Sequence, residues 1–257
     1  MSESQYEKNI KLELESAKID VKFDYYDATD STNTIAKNII NTNPQHGQLI
    51  VAKTQTSGRG TYGRTFISND GGIYMTIILD TNTWKFKSPH LATHLAAVVT
   101  GKSITEVLGI KLDLKWVNDL FLDGKKIGGI LTEKAYNSNW MVIGIGLNIA
   151  NNIDDFPKKI KNLVTTANIH DSDGKIKAKI IATILKNLLN PDKLTNPERM
   201  LDDYKNGLFI MNREVLILQN AAEFLVKVID VTEAGELVVL RDDQPLVLKY
   251  GEVKLKL

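Results

Sequence analysis

The sequence predicts an α+β fold with a small all-β unit at its C-terminal end. Three observations carry this. Strand patterns rich in β-branched and aromatic residues are interleaved with amphipathic helical patterns up to about residue 208. Five short strands separated by turn residues then follow within about 45 residues, which reads as a small barrel. The chain has 257 residues, 43% of them hydrophobic, which is enough to bury a core without covalent staples.

The elements follow in order. Residues 1–19 are weakly helical. Val21–Asp27 (VKFDYYD) reads as a strand, and Ser31 or Thr32 is placed to cap a helix running to about Asn41. The stretch GQLIVAKT is a second strand, SGRGTYGR a glycine-rich loop, and IYMTIIL a strand after NDGG. Ser88-Pro89 opens a long helix, with Ser as cap and Pro at the first position, and Gly109 closes it. KLDLKW and DLFL lead into the Asp123-Gly124 hairpin turn, from which KIGGILTEKAY returns. Asn137-Ser138-Asn139 turns the chain into WMVIGIGLNI. Residues 155–207 read as helical, with KIKAKIIATILKNLL strongly amphipathic. That face is expected to pack on a core rather than on a membrane. A domain boundary falls near 208, giving a unit over 1–208 and a barrel over 209–257, with turns at Ala234-Gly235 and Asp242-Asp243-Gln244.

Composition excludes several classes. With no Cys, there is no disulfide framework, no thiolate metal site and no thiol nucleophile. The balance of 32 Lys plus Arg against 31 Asp plus Glu argues against a dedicated nucleic-acid binder. No stretch approaches the ~18 apolar residues of a membrane span, and the charged first 20 residues carry no secretory signal. A soluble cytoplasmic protein without a membrane partner is the expectation.

Gly58-Arg-Gly60-Thr-Tyr-Gly63 fits G-x-G-x-x-G, but a dinucleotide fingerprint needs a helix directly after the loop. Only nine residues separate Gly63 from Ile73, and they include Asn69-Asp70-Gly71-Gly72, so there is no room for that helix. A P-loop fails on the same ground, with Arg64 where Lys is required. The loop can still serve anions, because three Gly expose backbone N–H groups while Arg59 and Arg64 offer forked cations. A plain surface turn is the other reading of the same residues.

A second constellation joins Lys115-Trp116-Val117-Asn118-Asp119 to Lys125-Lys126-Ile127-Gly128-Gly129. Adjacent Gly inside a strand weaken it and make sense where a ligand lies on the backbone. Lys126 stands at the strand mouth, and Asn118 and Asp119 are hard oxygen donors suited to Mg²⁺. A basic hairpin with a bulge explains the same residues. IGIGLNI (Ile143–Ile149) repeats the alternating Gly, from tight strand packing or for a ligand, and ends in Asn148. His90 and His94 have helical metal spacing, but no Glu follows His90 and no third ligand is evident, so they are expected to be ordinary helix residues.

Asp30-Ser-Thr-Asn33, the segment Gln55–Arg64, the KW-ND segment, KKIGGILTE and IGIGLNI occur in this order. Together they resemble the catalytic domain of biotin protein ligases over residues 21–150. Gly251–Leu255 resembles the end of that family's small C-terminal SH3-like barrel. The resemblance implies a central mixed β-sheet flanked by helices, of the kind seen in class II aminoacyl-tRNA synthetases. It implies synthesis of biotinyl-5′-AMP from biotin and ATP with Mg²⁺, then transfer of biotin to a lysine of a carboxylase's biotin carboxyl carrier domain.

By the same resemblance, Ser31, Thr32, Asn33 and Gln55 bind the biotin head, and Gly58, Arg59, Gly60, Lys126, Gly128, Gly129, Ile130, Leu131, Gly144 and Gly146 complete the biotin channel. Arg59, Thr61, Tyr62, Gly63, Arg64, Phe66, Lys126 and Asn148 meet the ATP or adenylate. Lys126 bridges the biotin carboxylate and the α-phosphate. Lys126, Arg64, Arg59 and Asp119 carry the chemistry, with Asp119 and Asn148 linked to Mg²⁺–ATP as ligands or to carrier-lysine activation. Three positions depart from the family pattern: Thr61 where Arg is frequent, Val117 where Pro is common, and Lys256 where a terminal Arg is usual.

Roughly 20 residues precede the first strand, too few for the DNA-binding winged helix of bifunctional members, so no DNA partner is expected. A homodimer is compatible with the sequence. A lipoate or octanoate ligase shares the implied fold, but its hydrocarbon acid would not need Ser31, Thr32 and Gln55. A biotin- or nucleotide-sensing binding protein is the non-enzyme alternative.

Overall fold

A computed structural model describes residues 3–83, 88–191, 197–219, 222–249 and 252–255. Gly251 and Lys256, singled out above, lie outside the described residues. Two sheets organise the chain. A seven-stranded mixed sheet has the order β1-β2-β3-β7-β6-β5-β4. It is built from β1 (Phe23–Thr29), β2 (Leu49–Gln55), β3 (Ile73–Asp80), β4 (Asp113–Lys115), β5 (Asp119–Leu122), β6 (Lys125–Lys134) and β7 (Trp140–Leu147). Only β1 and β2 pair in parallel, joined through the helix α2 (Thr32–Ile40); the other neighbours are antiparallel.

The central strands β3 and β7 are apolar on both faces and buried along most of their length, as expected where helices cover both sides. On one side, Ile50, Ile78 and Val142 pack on Ala36 of α2. On the other lie α3 (Pro89–Leu108), α5 (Lys175–Leu189) and α1 (Gln5–Ser16). Pro89 and the left-handed Gly109 bound α3 as the sequence predicts, and its buried run from Ala92 to Val99 fills the space under β6 and β7. The amphipathic face of α5 packs into this same core.

The stretch expected to be helical between 155 and 207 is broken. The short α4 (Lys158–Lys161) is followed by an irregular segment, then α5, then α6 (Pro197–Gly207). The irregular segment crosses the start of β6: Lys126 N–H donates to Leu163 O at 3.0 Å, and Thr165 N–H to Lys126 O at 2.9 Å. Helical periodicity was lost here to pairing with a strand 37 residues earlier in the chain, a contact that local patterning does not encode.

The second sheet is antiparallel, in the order β11-β10-β9-β8-β12: β8 (Glu214–Gln219), β9 (Ala222–Val231), β10 (Leu237–Arg241), β11 (Gln244–Leu248) and β12 (Glu252–Leu255). All five predicted C-terminal strands are present. Among the described residues, the edge strands β11 and β12 do not pair with each other. Val215, Ile217, Val228 and Val239 of this sheet belong to the same apolar cluster as α3 and the large sheet.

Candidate functional site

The turn after β1 sets the first wall. Ser31, Thr32 and Asn33 are 2, 3 and 4% exposed, so their polar groups need partners inside the fold. Ser31 precedes α2, yet its side chain makes no capping bond. The first-turn N–H of Thr32 donates instead to Gln55 Oε1 at 2.8 Å, and its hydroxyl lies 3.2 Å from the same oxygen. Gln55 Nε2 donates to Ser68 Oγ at 2.8 Å. Asn33 Nδ2 donates to Glu133 Oε2 at 2.9 Å and Leu131 O at 3.3 Å, while Thr76 Oγ1 lies 2.7 Å from Asn33 Oδ1. Asn33 therefore lines the cavity with its amide committed to the wall. Burial pushes the Glu133 carboxyl up, but Lys37, Asn33 and the charge of Arg59 outweigh it and hold the group below its usual range.

The glycine-rich loop forms a closed flap. Phe66 N–H donates to Gly58 O, Gly60 N–H to Arg64 O, and a bridge joins Arg59 to Thr65. No dinucleotide-type helix follows; Thr61–Gly63 is a single tight turn, with Tyr62 and Gly63 in the left-handed region. The root of the flap is fixed by Gln55 N–H on Ser68 O at 3.1 Å. Beneath it, the Phe66 ring occupies the space that a side chain at 146 would need: a Cβ built on Gly146 would stand 2.7 Å from it.

The opposite wall is the β5–β6 hairpin. Lys126 Nζ lies 2.5 Å from Asp119 Oδ1, and Lys115 Nζ lies 3.9 Å from the other carboxylate oxygen. Asn118 donates to Ile130 O at 2.7 Å and receives Ile130 N–H at its own carbonyl, which fixes the strap between β4 and β5. The Trp116–Val117 peptide within this strap is cis.

These walls enclose a cavity of about 520 Å³. It gathers Ser31, Thr32, Asn33, Gln55, Arg59, Gly60, Thr61, Tyr62, Gly63, Arg64 and Phe66 with Asp119, Lys126, Gly129, Ile130, Leu131, Gly144 and Gly146. Of the residues expected from sequence, three stand behind the lining. Gly58 is backed by Phe66 O and Ser68 Oγ, and Gly128 by Gly146 O. Asn148 turns Nδ2 to Thr165 O at 3.2 Å, and its Oδ1 is buried without a partner among the described residues. Asp119 and Asn118 are in the lining, with Glu133, whereas Asn148 stands behind it.

The lining also holds residues that sequence reasoning did not select: Met75, Thr93, Lys115 and, from the second sheet, Lys249 and Val253. The cation of Lys115 was visible in the KW-ND segment. For Lys249 and Val253 no local signal existed, since they reach the cavity only because the small sheet packs against it. His90 lines the cavity mouth, whereas His94 is fully buried, its ring stacked on Tyr204 with centroids 3.9 Å apart. Among the described residues, no group of three or more His, Cys, Asp or Glu could hold a metal ion, and no helix is long and apolar enough to cross a membrane.

An apolar floor, a polar head pocket and a cationic mouth suit a small amphipathic acid meeting a phosphate. Residues 25–149 match the Biotin/lipoate A/B protein ligase family. The bifunctional ligase/repressor BirA of Bacillus subtilis is 38% identical over 165 residues, 63% of this chain and 50% of that protein. The chain thus spans about half the length of that relative. A biotin--[acetyl-CoA-carboxylase] ligase of Mycobacterium tuberculosis is 23% identical over 211 residues, 80% of this chain and 78% of its own. In fold, the chain resembles a biotin protein ligase from Aquifex aeolicus solved with biotin and ATP, with a TM-score of 0.75 at 23% identity, covering 91% of this chain and 98% of that one.

Proposed function

We propose, on the premise that residues 25–149 form a domain of the Biotin/lipoate A/B protein ligase family, that the protein is a biotin protein ligase. In this reading it joins biotin and ATP into biotinyl-5′-AMP, releasing pyrophosphate. It then passes the biotinyl group to a lysine of a biotin carboxyl carrier domain, releasing AMP. Its place of action is the cytoplasm.

The observation that carries the proposal is the Lys126–Asp119 pair set between a buried polar head pocket and an arginine-bearing flap. A carboxylate attacking an α-phosphate brings two anions together, and preorganised cations are what offset that repulsion. Lys126 leaves Asp119 and bridges the two acids. Arg59 and Arg64, on the flap, gather the phosphates. Ser31, Thr32 and Gln55 supply the hydroxyl and amide groups that a ureido ring requires, which a purely hydrocarbon acid would leave unpaired. Gly129 leaves the β6 side of the channel open, while Gly144 and Gly146 make room for Asn33 and for the Phe66 ring that wall it. Thr61 takes the flap position at which an arginine is frequent in the family, so retention of the adenylate falls to Arg59 and Arg64.

Asp119 has a second task in transfer. An incoming carrier lysine must lose a proton before its amine attacks the acyl carbon; of the two carboxylates in the lining, Glu133 is held by Lys37 and Asn33, and Asp119 receives the proton once Lys126 has left it. Mg²⁺, held through Asp119 and the oxygen of Asn118 together with nucleotide phosphates, would neutralise phosphate charge; one or two protein oxygens are enough for such an ion.

Incubation with ATP, Mg²⁺, biotin and an isolated carrier domain, read by mass spectrometry, tests the proposal. Biotinyl-5′-AMP and a biotinylated carrier are expected. Labelling with lipoate but not biotin would replace this reading with the lipoate one, and no adenylate with either acid would remove the ligase assignment.

A further inference from the structure

We infer that Tyr204 is a positioning residue for the Asp119–Lys126 pair, acting with the Gly235 turn of the second sheet as a latch on the strap at residues 116–119. The inference rests on the ligase reading above for its kinetic consequence, but its geometry does not.

Two long-range hydrogen bonds close the latch. The Tyr204 hydroxyl of α6 donates to Val117 O at 2.9 Å, and the Trp116 indole N–H donates to Gly235 O at 3.1 Å. They join residues 87 and 119 positions apart in the chain. The cluster around them excludes solvent: Tyr204 and His94 are 0% exposed and Trp116 2%. His94 stacks on the Tyr204 ring with planes 20° apart, and a Cβ at Gly235 would lie 2.6 Å from His94 Cε1. Gly235 also has φ +85°, so that turn is restricted to glycine by both space and backbone.

The strap is therefore gripped from two sides. Its inner side is zipped to β6 through Asn118 and Ile130, and its outer side is held by Tyr204 and Gly235. Asp119 is the next residue in the chain, opposite Gly129 in the sheet and 2.5 Å from Lys126. The charge of Asp119 reaches the Tyr204 hydroxyl, which burial first, and that charge second, push well above the usual phenol range. A buried carbonyl stripped of its donor shifts to recover a partner. Val117 cannot shift without carrying Asp119 with it, and a reacting pair tolerates displacement of only about half an ångström.

Tyr204→Phe keeps the ring, the volume and the stack on His94 while removing the hydroxyl. We expect kcat for biotin-dependent ATP–pyrophosphate exchange to fall about tenfold with the biotin KM within about twofold. Amide hydrogen exchange over 115–119 should rise about tenfold. Val215→Ala, in the core of the second sheet and outside both latch hydrogen bonds, serves as the comparison: it should lower Tm while leaving kcat and strap exchange near wild type at 25 °C. Should Tyr204→Phe not fold, Trp116→Phe removes the other bond of the latch and should give the same split.

Wild-type kcat and strap protection in Tyr204→Phe would overturn the inference, as would an equal kcat loss in Val215→Ala. If the wild type catalyses no exchange with biotin, the ligase reading fails, and strap exchange in Tyr204→Phe still decides the latch.

Discussion

Asn33 occupies the space that any side chain at Gly144 would fill: a Cβ built there would lie 2.1 Å from Asn33 Oδ1. Gly144 sits opposite both Thr76 and Leu131 in the sheet, and Thr76 and Leu131 are two of the three partners of the Asn33 amide. Beside the apolar contact of Ala36, helix α2 is thus tied to the sheet by one amide set over one glycine.

Gly144→Ala should therefore loosen the head pocket rather than extend it. The methyl forces Asn33 off Thr76 and Glu133, at a cost of about 1–3 kcal/mol for an overpacked buried site. Thermal denaturation should show the loss, and titration calorimetry should show weakened biotin binding. Unchanged biotin affinity would detach this contact from the pocket.

The two adjacent glycines of β6 should behave differently. A Cβ on Gly128 meets the backbone oxygen of Gly146 at 2.5 Å, which cannot move without opening the β6–β7 pairing, so Gly128→Ala should lower Tm markedly. A Cβ on Gly129 meets Asp119 Oδ1 and Lys126 Nζ only at 3.5 Å, an ordinary contact. Gly129→Ala should keep Tm near wild type while lowering adenylate formation, because its methyl stands beside the reacting pair. Melting curves paired with pyrophosphate exchange separate the two, and a reversed order would contradict these contacts.

Lys126→Ala should leave the fold intact, since the backbone of Lys126 is held by Leu163 and Thr165 independently of its side chain. Loss of one charge-stabilising group from such a site costs on the order of 10²–10³ in rate. A variant with native circular dichroism and exchange within tenfold of wild type would remove Lys126 from the mechanism.

His94 makes stability depend on acidity. Burial, aided by the charge of His90, lowers its pKa to about 3. In the unfolded chain the imidazole takes a proton near its ordinary value, so as pH falls from about 6.5 towards 3 the unfolded state binds the proton first and the fold loses up to roughly 1.4 kcal/mol per pH unit. Above pH 6.5 the effect vanishes. Urea denaturation at pH 7.5, 6 and 5 should show this decline, and His94→Phe, which keeps an aromatic ring on Tyr204, should flatten it. Equal slopes in the two proteins would assign the acid sensitivity elsewhere.

Local signals carried most of the fold. The Ser88-Pro89 start and Gly109 stop of α3, the Asp123-Gly124 turn and the five C-terminal strands all needed only nearest neighbours in sequence, and each is present. The glycine pairs also marked the backbone that the cavity uses. What stayed hidden was contact between distant segments. Nothing near Leu163 announces that it will pair with Lys126, and nothing near Tyr204 announces Val117. Asn148 is the residue after the end of β7, and nothing near it announces that its amide will meet Thr165 O. Nothing in the sequence near Glu133 or Lys37 points to Asn33; only the approach of α2 to β6 brings the three together.

Gln55 joins two structures with different tasks. Its oxygen holds the first turn of α2, and its amide nitrogen holds Ser68 at the base of the flap. A guest that recruits this amide must loosen its grip on one or the other. A single side chain thereby ties the wall of the inner chamber to the root of its cover, so that a shift at one end is felt at the other.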